Sequence, residues 1–542
     1  MQAQNPKLSV SGKRLRDDLL GCELFRASVG GITSVVLLPY RTFRRYPCFM
    51  FNPSAPAFAY HFNEAASDRG ARRLLAGLLL VSVLVAFFTK GTYDSGDSVL
   101  HYEYAHYVFK HPLNLLNSWA KPLFTLLAAV PTQFGFLGMK LFQCAVVAVS
   151  AWCAFIVARA LRLPAPELAI LFAYAAPDYF LIQFSGLTEP LFGLLLVGAA
   201  ALAVRGQPAA SAAVLSWLPF VRSEGFILLG IWVVYLGLKR EWRCLPLLLL
   251  GYVVYSAVGA VVLDELGWVF GRNPYDTVSV YGHGNWSHFV RNIPNLLGWI
   301  LTALFALGGV RMVRDLCRPS RRQAPLFLAE LLLVYGSIAV FVAAHTIFWA
   351  EGLFNSAGLQ RVLAVITPLA AVVALNGLVL LLELGRSEAA RRRIRVGATV
   401  AVVAWPFTGA RNAIRPERDF GIEPDQELAR RAGNWFRQAH AGRPVPPVAF
   451  EAPYLASALR VDPFDERARP LLTRDGQPRL ATLPLHTLLF WDEWAARYEA
   501  RLPLALLRHD PRFRLRWQDA LPRDARHPEH DSCQIVVFER IK

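Results

Sequence analysis

The sequence predicts an all-α polytopic membrane protein with a small α/β domain at its C-terminal end. Three observations predict it. Only 18% of the 542 residues are charged, against 54% hydrophobic, whereas soluble domains run near a quarter charged. The apolar residues gather in about eleven runs, and a bilayer span needs roughly 20 such residues in a helix, because lipid cannot satisfy exposed backbone groups. Arginines and lysines fall in short loops on alternate sides of those runs, which is the positive-inside pattern.

The net charge of +17 invites a nucleic-acid reading. Its distribution argues for topology instead. Arg159 and Arg162, Arg205, Lys239 with Arg240 and Arg243, the set Arg311, Arg314, Arg318, Arg321 and Arg322, and the set Arg386, Arg391, Arg392, Arg393 and Arg395 all sit between apolar runs. No nucleic-acid partner is expected. The seven cysteines (Cys22, Cys48, Cys144, Cys153, Cys244, Cys317 and Cys533) show no paired spacing, so neither a disulfide framework nor a metal cluster is expected.

Residues 1–72 are polar at the start, with no apolar core of a cleavable signal. They are expected to form a poorly ordered cytoplasmic extension, with a true start near Met50 as the alternative. The first span, 73–89, enters behind Arg69, Arg72 and Arg73 and so leads outward. Further spans are expected at about 137–160, 167–184, 187–204, 209–221, 225–238, 245–266, 295–313, 325–345, 362–383 and 396–411. The transmembrane core is therefore 73–412. Residues 413–542 change character, with more proline, charge and tryptophan. "PDQELARRAGNWFRQAHA" and "WDEWAARYEARLPLALL" read as amphipathic helices, and "PPVAF" and "CQIVVFER" as strands, giving an extracytoplasmic α/β domain.

Sorted by side, the outer face collects Asp94, Asp97, His101, Glu103, His106, Lys121, Glu189, Arg222, Glu224, His283, His288, Glu351 and Arg361. Ionisable groups at membrane depth are costly and are functional candidates by default. A cleft with carboxylates and cations suits a sugar carried on a lipid phosphate. A carboxylate takes the proton of an attacking hydroxyl, and cations stabilise the charge growing on the departing phosphate. Such a reaction needs no nucleotide, cofactor or metal, and the chain carries no Walker or dinucleotide signature.

The run from Asp97 to Ala105, "DSVLHYEYA", resembles the first external loop of the GT-C glycosyltransferase superfamily. The protein O-mannosyltransferase and aminoarabinose-transferase branch has an acidic residue after the first helix, then Glu six on and Ala eight on. Asp97, Glu103 and Ala105 keep that spacing. "AKPLFTLLAAVPTQFGFLGMKL" is similar to the same branch's Lys-Pro-Pro-Leu segment, with Lys121, Pro122, Phe134 and Gly135 in place. "GLTEPLF" and "RSEG" are similar to turns of bacterial polyprenyl-linked mannosyltransferases. Ser98 stands where a second acid is frequent, Leu123 replaces the second proline, and Asp94 is additional.

The resemblance implies Asp97 as base, with Asp94 the alternative, and Lys121 and Arg361 as holders of the lipid phosphate. His101, Glu103, Glu189, Arg222, Glu224 and Gln360 would bind substrate. It implies a polyprenyl-phosphate sugar donor, a mannose-like hexose, a hydroxyl acceptor on a glycan, lipid or protein, inversion at the anomeric carbon, and a place in the plasma or inner membrane.

Ordinary readings compete. Asp94 and Asp97 are good helix caps, Arg222 and Glu224 can simply pair across a hairpin, Glu189-Pro190 reads as a helix start, and Lys121 and Arg361 as interface anchors. His283 and His288 form a weak ligand pattern. A transporter or flippase of lipid-linked sugars is the rival function. It would be expected to show internal repeats with polar groups at mid-span, which the sequence lacks. A ligase or polymerase for lipid-linked glycans shares the setting and the leaving group.

Overall fold

The computed structural model describes residues 64–522 and 533–542, apart from 273, 276, 411, 475 and 476. Most of the expected N-terminal extension lies outside the described residues, and the helix that follows already starts at Glu64 and runs to Phe88.

Each of the apolar segments is helical. Among the described residues five helices are long and apolar enough to cross a membrane: Asp68–Phe88, Pro131–Ala160, Trp242–Val262, Phe327–Ala350 and Gln360–Leu382. Three shorter apolar helices, Glu189–Val204, Pro208–Phe220 and Gly225–Leu238, accompany them. The expected span 167–184 is two pieces, Leu168–Ala175 and Pro177–Ile182. Pro177 has no N–H to continue the first helix and opens the second. Trp299–Leu316 and Glu388–Ala404 are helices that carry several arginines.

Gln360–Leu382 is the centre of the bundle: its apolar window is 83% buried, against 17% for Asp68–Phe88 at the edge. Its tightest neighbour is Trp299–Leu316. A Cβ on Gly377 would stand 1.8 Å from the Leu304 carbonyl oxygen, and one on Gly308 2.1 Å from that of Val373. Small residues let two backbones touch where lipid supplies no hydrophobic drive between helices. Gly193 does the same on another side, 2.9 Å from the Val365 oxygen. That contact seats the first turns of Glu189–Val204 beside residues 360–366.

The central helix begins as a 3₁₀ turn, Gln360–Ile366, and becomes α-helical at Thr367. Pro368 has no N–H to offer the Ala364 carbonyl, and Thr367 N–H takes that carbonyl instead. The tightened turn places Arg361 at the end of the bundle where the helix Glu64–Phe88 gives way to the loop 89–96.

At this end sits the α/β domain. Its strands are β1 (Val448–Ala449), β2 (Thr473–Arg474), β3 (Gln477–Pro478), β4 (Leu488–Asp492), β5 (Phe513–Leu521) and β6 (Cys533–Arg540). β2 and β3 form a hairpin; the others form one sheet in the order β1-β4-β6-β5, with only β1 and β4 parallel. Leu488 and Phe490 pack on one face with Leu428 and Phe436 of the helix Pro424–Ala439, while Leu489 and Trp491 pack on the other with Leu483 and Leu507. β1, β6 and the helix from Pro424 fall where the sequence pattern puts them. The expected helix over 491–507 forms only in pieces, a π-helical turn at Ala495–Glu499 and a short helix from Leu504. Residues 488–492 are buried on both faces as a central strand, and an apolar run of that kind has no periodicity to separate it from a helix. Arg501 is left-handed at φ 51° and Pro503 follows, so only Leu504–His509 is α-helical.

The domain is fastened to the bundle. Phe420 O accepts from Lys90 N at 2.9 Å. Tyr107 donates to Val461 O at 3.3 Å, His111 Nε2 lies 3.1 Å from Asp462 Oδ2, and the ring of Phe464 packs on Tyr104.

Candidate active site

Four segments far apart in sequence meet at the domain end of the bundle. They are the loop 89–98 with the helix Asp97–His106, the turn before Glu189, the turn 222–224, and the 3₁₀ turn 360–366.

Arg361 is the hub. Its side chain is 10% exposed. Nη1 donates to Asp94 Oδ2 and Nη2 to Asp97 Oδ2, one nitrogen for each carboxylate. Its Nε lies 3.7 Å from Glu189 Oε1. A planar guanidinium presents its donors in a fixed fork, so holding two carboxylates at once fixes their separation.

Glu189 opens its helix with Pro190 in the first turn, as its sequence suggests, and is also 1% exposed and ion-paired. Its Oε1 is 2.8 Å from Arg222 Nη1. Arg222 reaches Glu224 Oε1 through Nη2 at 3.0 Å. The expected Arg222–Glu224 pair is therefore part of a longer chain that runs from Asp97 through Arg361, Glu189 and Arg222 to Glu224. His345 closes it, with Nε2 3.5 Å from Glu224 Oε1. Burial disfavours the Glu224 carboxylate, but Arg222 and His345 outweigh that and hold it down at about 2.

Lys121 is buried and left-handed at φ 65°. Its Nζ lies 3.3 Å from Ser223 Oγ and 4.6 Å from the centre of the Tyr275 ring. Of the three site cations it alone is matched to a hydroxyl and not to a carboxylate. Burial, only partly offset by Glu224, pushes its ammonium down to about 7.

Asp94 and Asp97 differ. Asp94 Oδ1 accepts from Gly96 N at 2.9 Å and Ser98 N at 3.2 Å, so it caps the helix Asp97–His106 while Oδ2 holds Arg361. Both oxygens are used. Asp97 uses Oδ2 alone among the described contacts, and its side chain is 44% exposed against 28% for Asp94.

The remaining expected residues fall around this network. His101 stacks on Trp119 at 4.7 Å and meets Phe124 edge-on. Burial and the charges of Lys121, Arg222 and Arg361 lower it to about 3, so the ring is neutral. Glu103 lies apart from the ion pairs, 1% exposed, with Oε1 lacking a hydrogen-bond partner. Burial raises its carboxyl well above the usual range, and Arg469 opposes this only in part. Gln360 is exposed and accepts from Asn295 Nδ2 at 2.8 Å. His288 Nε2 contacts Gly358 O at 2.7 Å. Among the described residues no group of three or more His, Cys, Asp or Glu is placed to hold a metal ion.

Several contributors escape the sequence reading. Tyr93 donates to Asp178 Oδ1 at 2.6 Å from a left-handed backbone at φ 70°. His345 stands alone on the apolar helix Ser337–Ala350. A lone ionisable residue in such a run was the available signal. Ser223 and Tyr275 carried none.

The helical bundle, its apolar helices of spanning length and the domain over the polar end define the fold of an integral membrane protein. The particular likeness is to ArnT from Cupriavidus metallidurans, whose crystal structure was determined bound to undecaprenyl phosphate. The two share 13% identity at a TM-score of 0.57, over 86% of this chain and 98% of that one. No family model and no curated protein matches the sequence.

Proposed function

We propose that the protein is a multi-pass membrane glycosyltransferase of the GT-C type. It moves a sugar, a mannose-like hexose in our reading, from a polyprenyl-phosphate donor to a hydroxyl on a glycan, lipid or protein. The site faces the extracytoplasmic side, with the core over 73–412 and the domain over 413–542 above it. The single observation that carries this reading is Arg361 between Asp94 and Asp97, with Arg222 and Lys121 in the same polar cluster. The likeness to ArnT, seen with undecaprenyl phosphate, supports a lipid-phosphate donor.

The chemistry follows from the partners. Among the described residues Lys121 is matched to a hydroxyl and not to a carboxylate, so it is the cation for the donor phosphate, with Arg361 and Arg222 in the same polar cluster. Among the described contacts one Asp97 oxygen is unengaged, and the side chain has access to solvent, so Asp97 is the base, while Asp94 fixes the turn. The acceptor oxygen attacks the anomeric carbon as Asp97 takes its proton. The bond from that carbon to the phosphate oxygen breaks, and the sugar inverts. Polyprenyl phosphate leaves with its new charge held by the cations. Glu189, Glu224 and neutral His101 lie where sugar or acceptor hydroxyls would be oriented. Basic residues at the opposite end, such as Arg159 paired with Asp68 and Arg314 with Glu383, support that end as the cytoplasmic one.

The test is incubation of purified protein with a panel of radiolabelled polyprenyl-phosphate sugars and mixed acceptors. Release of the lipid phosphate with transfer of label is expected. Intact donor across the whole panel would overturn the reading.

A further inference from the structure

The loop that carries the two aspartates is held from two sides. On the bundle side, Tyr93 donates to Asp178, and Ser98 Oγ accepts from Gly186 N at 2.7 Å while donating to Thr92 O at 2.7 Å. On the other side the holder is the C-terminal domain. Gln426, in the first turn of the helix Pro424–Ala439, donates through Nε2 to Thr92 Oγ1 and, at 3.1 Å, to Ser95 Oγ. Thr92 Oγ1 in turn donates to the Asp94 carbonyl at 2.8 Å. Ser95 Oγ donates toward Glu423 and Asp425 of the same turn. The two backbones close up just behind, where a Cβ on Gly91 would stand 2.3 Å from the Gly421 oxygen.

Tyr93 needs this support. A left-handed non-glycine residue persists only when its surroundings hold it. Residues 92 and 95 flank Tyr93 and Asp94, so fixing them fixes the direction in which the Asp94 and Asp97 carboxylates leave the backbone. Catalytic groups displaced by about 1 Å lose on the order of a hundredfold in rate.

We propose that Gln426 is a positioning residue for the transfer reaction, fastening residues 92–95 so that Asp94 and Asp97 meet Arg361 in the right geometry. The α/β domain is then part of the catalytic apparatus and not only a cover. This inference rests on the functional reading above for its kinetic arm and on the contacts alone for its structural arm.

The test uses the full-length protein in detergent or nanodiscs, with Gln426→Met, Thr92→Val and the double variant. Gln426→Met keeps the length and loses the donors. In hydrogen exchange, the Gly96 and Ser98 amides bound to Asp94 should exchange about tenfold faster in Gln426→Met, the scale of one lost hydrogen bond, with the sheet unchanged. With a polyprenyl-phosphate sugar donor, kcat should fall about tenfold while KM for the donor stays within about twofold, a split that marks a transition-state effect. The double variant should be slower than either single one but by less than the product of the two losses, because the Gln426–Thr92 bond is common to both while the Gln426–Ser95 and Thr92–Asp94 bonds are each lost in one. Unchanged exchange at Gly96 and Ser98 would overturn the proposal. So would a rise in KM alone, or a general loss of melting temperature with faster exchange everywhere. Should the unaltered protein transfer no sugar from any donor, the functional reading fails, while the exchange result still decides whether Gln426 holds the loop.

Discussion

Arg361 Nη2 donates to Asp97 Oδ2 across 264 positions of sequence. The same guanidinium holds Asp94 through its other terminal nitrogen. The contact joins the first loop after the first helix to the start of the central one, and the proposed chemistry is built around it.

Asp97→Asn should keep the fold and the affinity for polyprenyl phosphate and lose about 10²–10⁴-fold in kcat, the range for a general base. Asp94→Asn keeps an oxygen for the Gly96 and Ser98 amides and should lose less. Steady-state kinetics on both variants, with lipid binding followed separately, assign the base. The reverse order would move that role to Asp94.

Arg361→Lys replaces a fork with a point charge that cannot hold two carboxylates at fixed spacing. Arg361→Ala leaves Glu189 buried beside one remaining partner. A loss of about 3 kcal/mol is expected, at the lower end for breaking a buried pair because Asp97 is half exposed. Thermal unfolding in detergent measures it. Arg361→Lys should melt closer to the unaltered protein than Arg361→Ala and still turn over poorly.

Lys121 sets a pH dependence. Its ammonium, held down to about 7 by burial, is charged below that value and neutral above it. Only the charged form attracts phosphate, so affinity for undecaprenyl phosphate should weaken as pH rises through about 7. Lys121→Arg, whose guanidinium stays protonated, should flatten that profile even where its affinity is lower. Titration of lipid binding from pH 6 to 9 supplies the comparison; identical profiles would remove Lys121 from the phosphate site.

Burial favours the neutral form of Glu103. Its folded-state carboxyl is raised by burial, so the fold loses stability as pH climbs from the unfolded carboxylate range toward the raised value. Glu103→Gln mimics the protonated form. Its melting temperature should equal that of the unaltered protein in acid and exceed it increasingly toward alkaline pH. Unfolding curves at several pH values show the divergence.

Gly377→Ala adds a Cβ 1.8 Å from a backbone oxygen. The helices Trp299–Leu316 and Thr367–Leu382 must separate, at about 1–3 kcal/mol, the cost of overpacking. Gly198 has open space around its Cβ position, and Gly198→Ala should be close to neutral in the same melting assay.

Much of this was legible because membrane helices declare themselves by composition. Every apolar run proved helical, and Asp94, Asp97, Glu189, Arg222, Glu224, Lys121 and Arg361 were picked out as charges that lipid would not tolerate without reason. Proline breaks were less legible. The run 167–184 reads as one segment until Pro177 is weighed as an end. β4 was hidden because a strand buried on both faces shows no alternation. Gln426 was invisible for another reason. An amide in an amphipathic helix looks like any solvated side chain, and only the folded chain shows it set against Thr92.

The order of the sheet has a consequence for how the molecule is made. β6 lies between β4 and β5, yet of the described strands it leaves the ribosome last. During synthesis the membrane helices can assemble early, while the domain waits for an inner strand still to come. If the aspartate loop relies on that domain, the nascent chain carries an embedded but unready site, and competence arrives in one step when residues 533–540 slot into place.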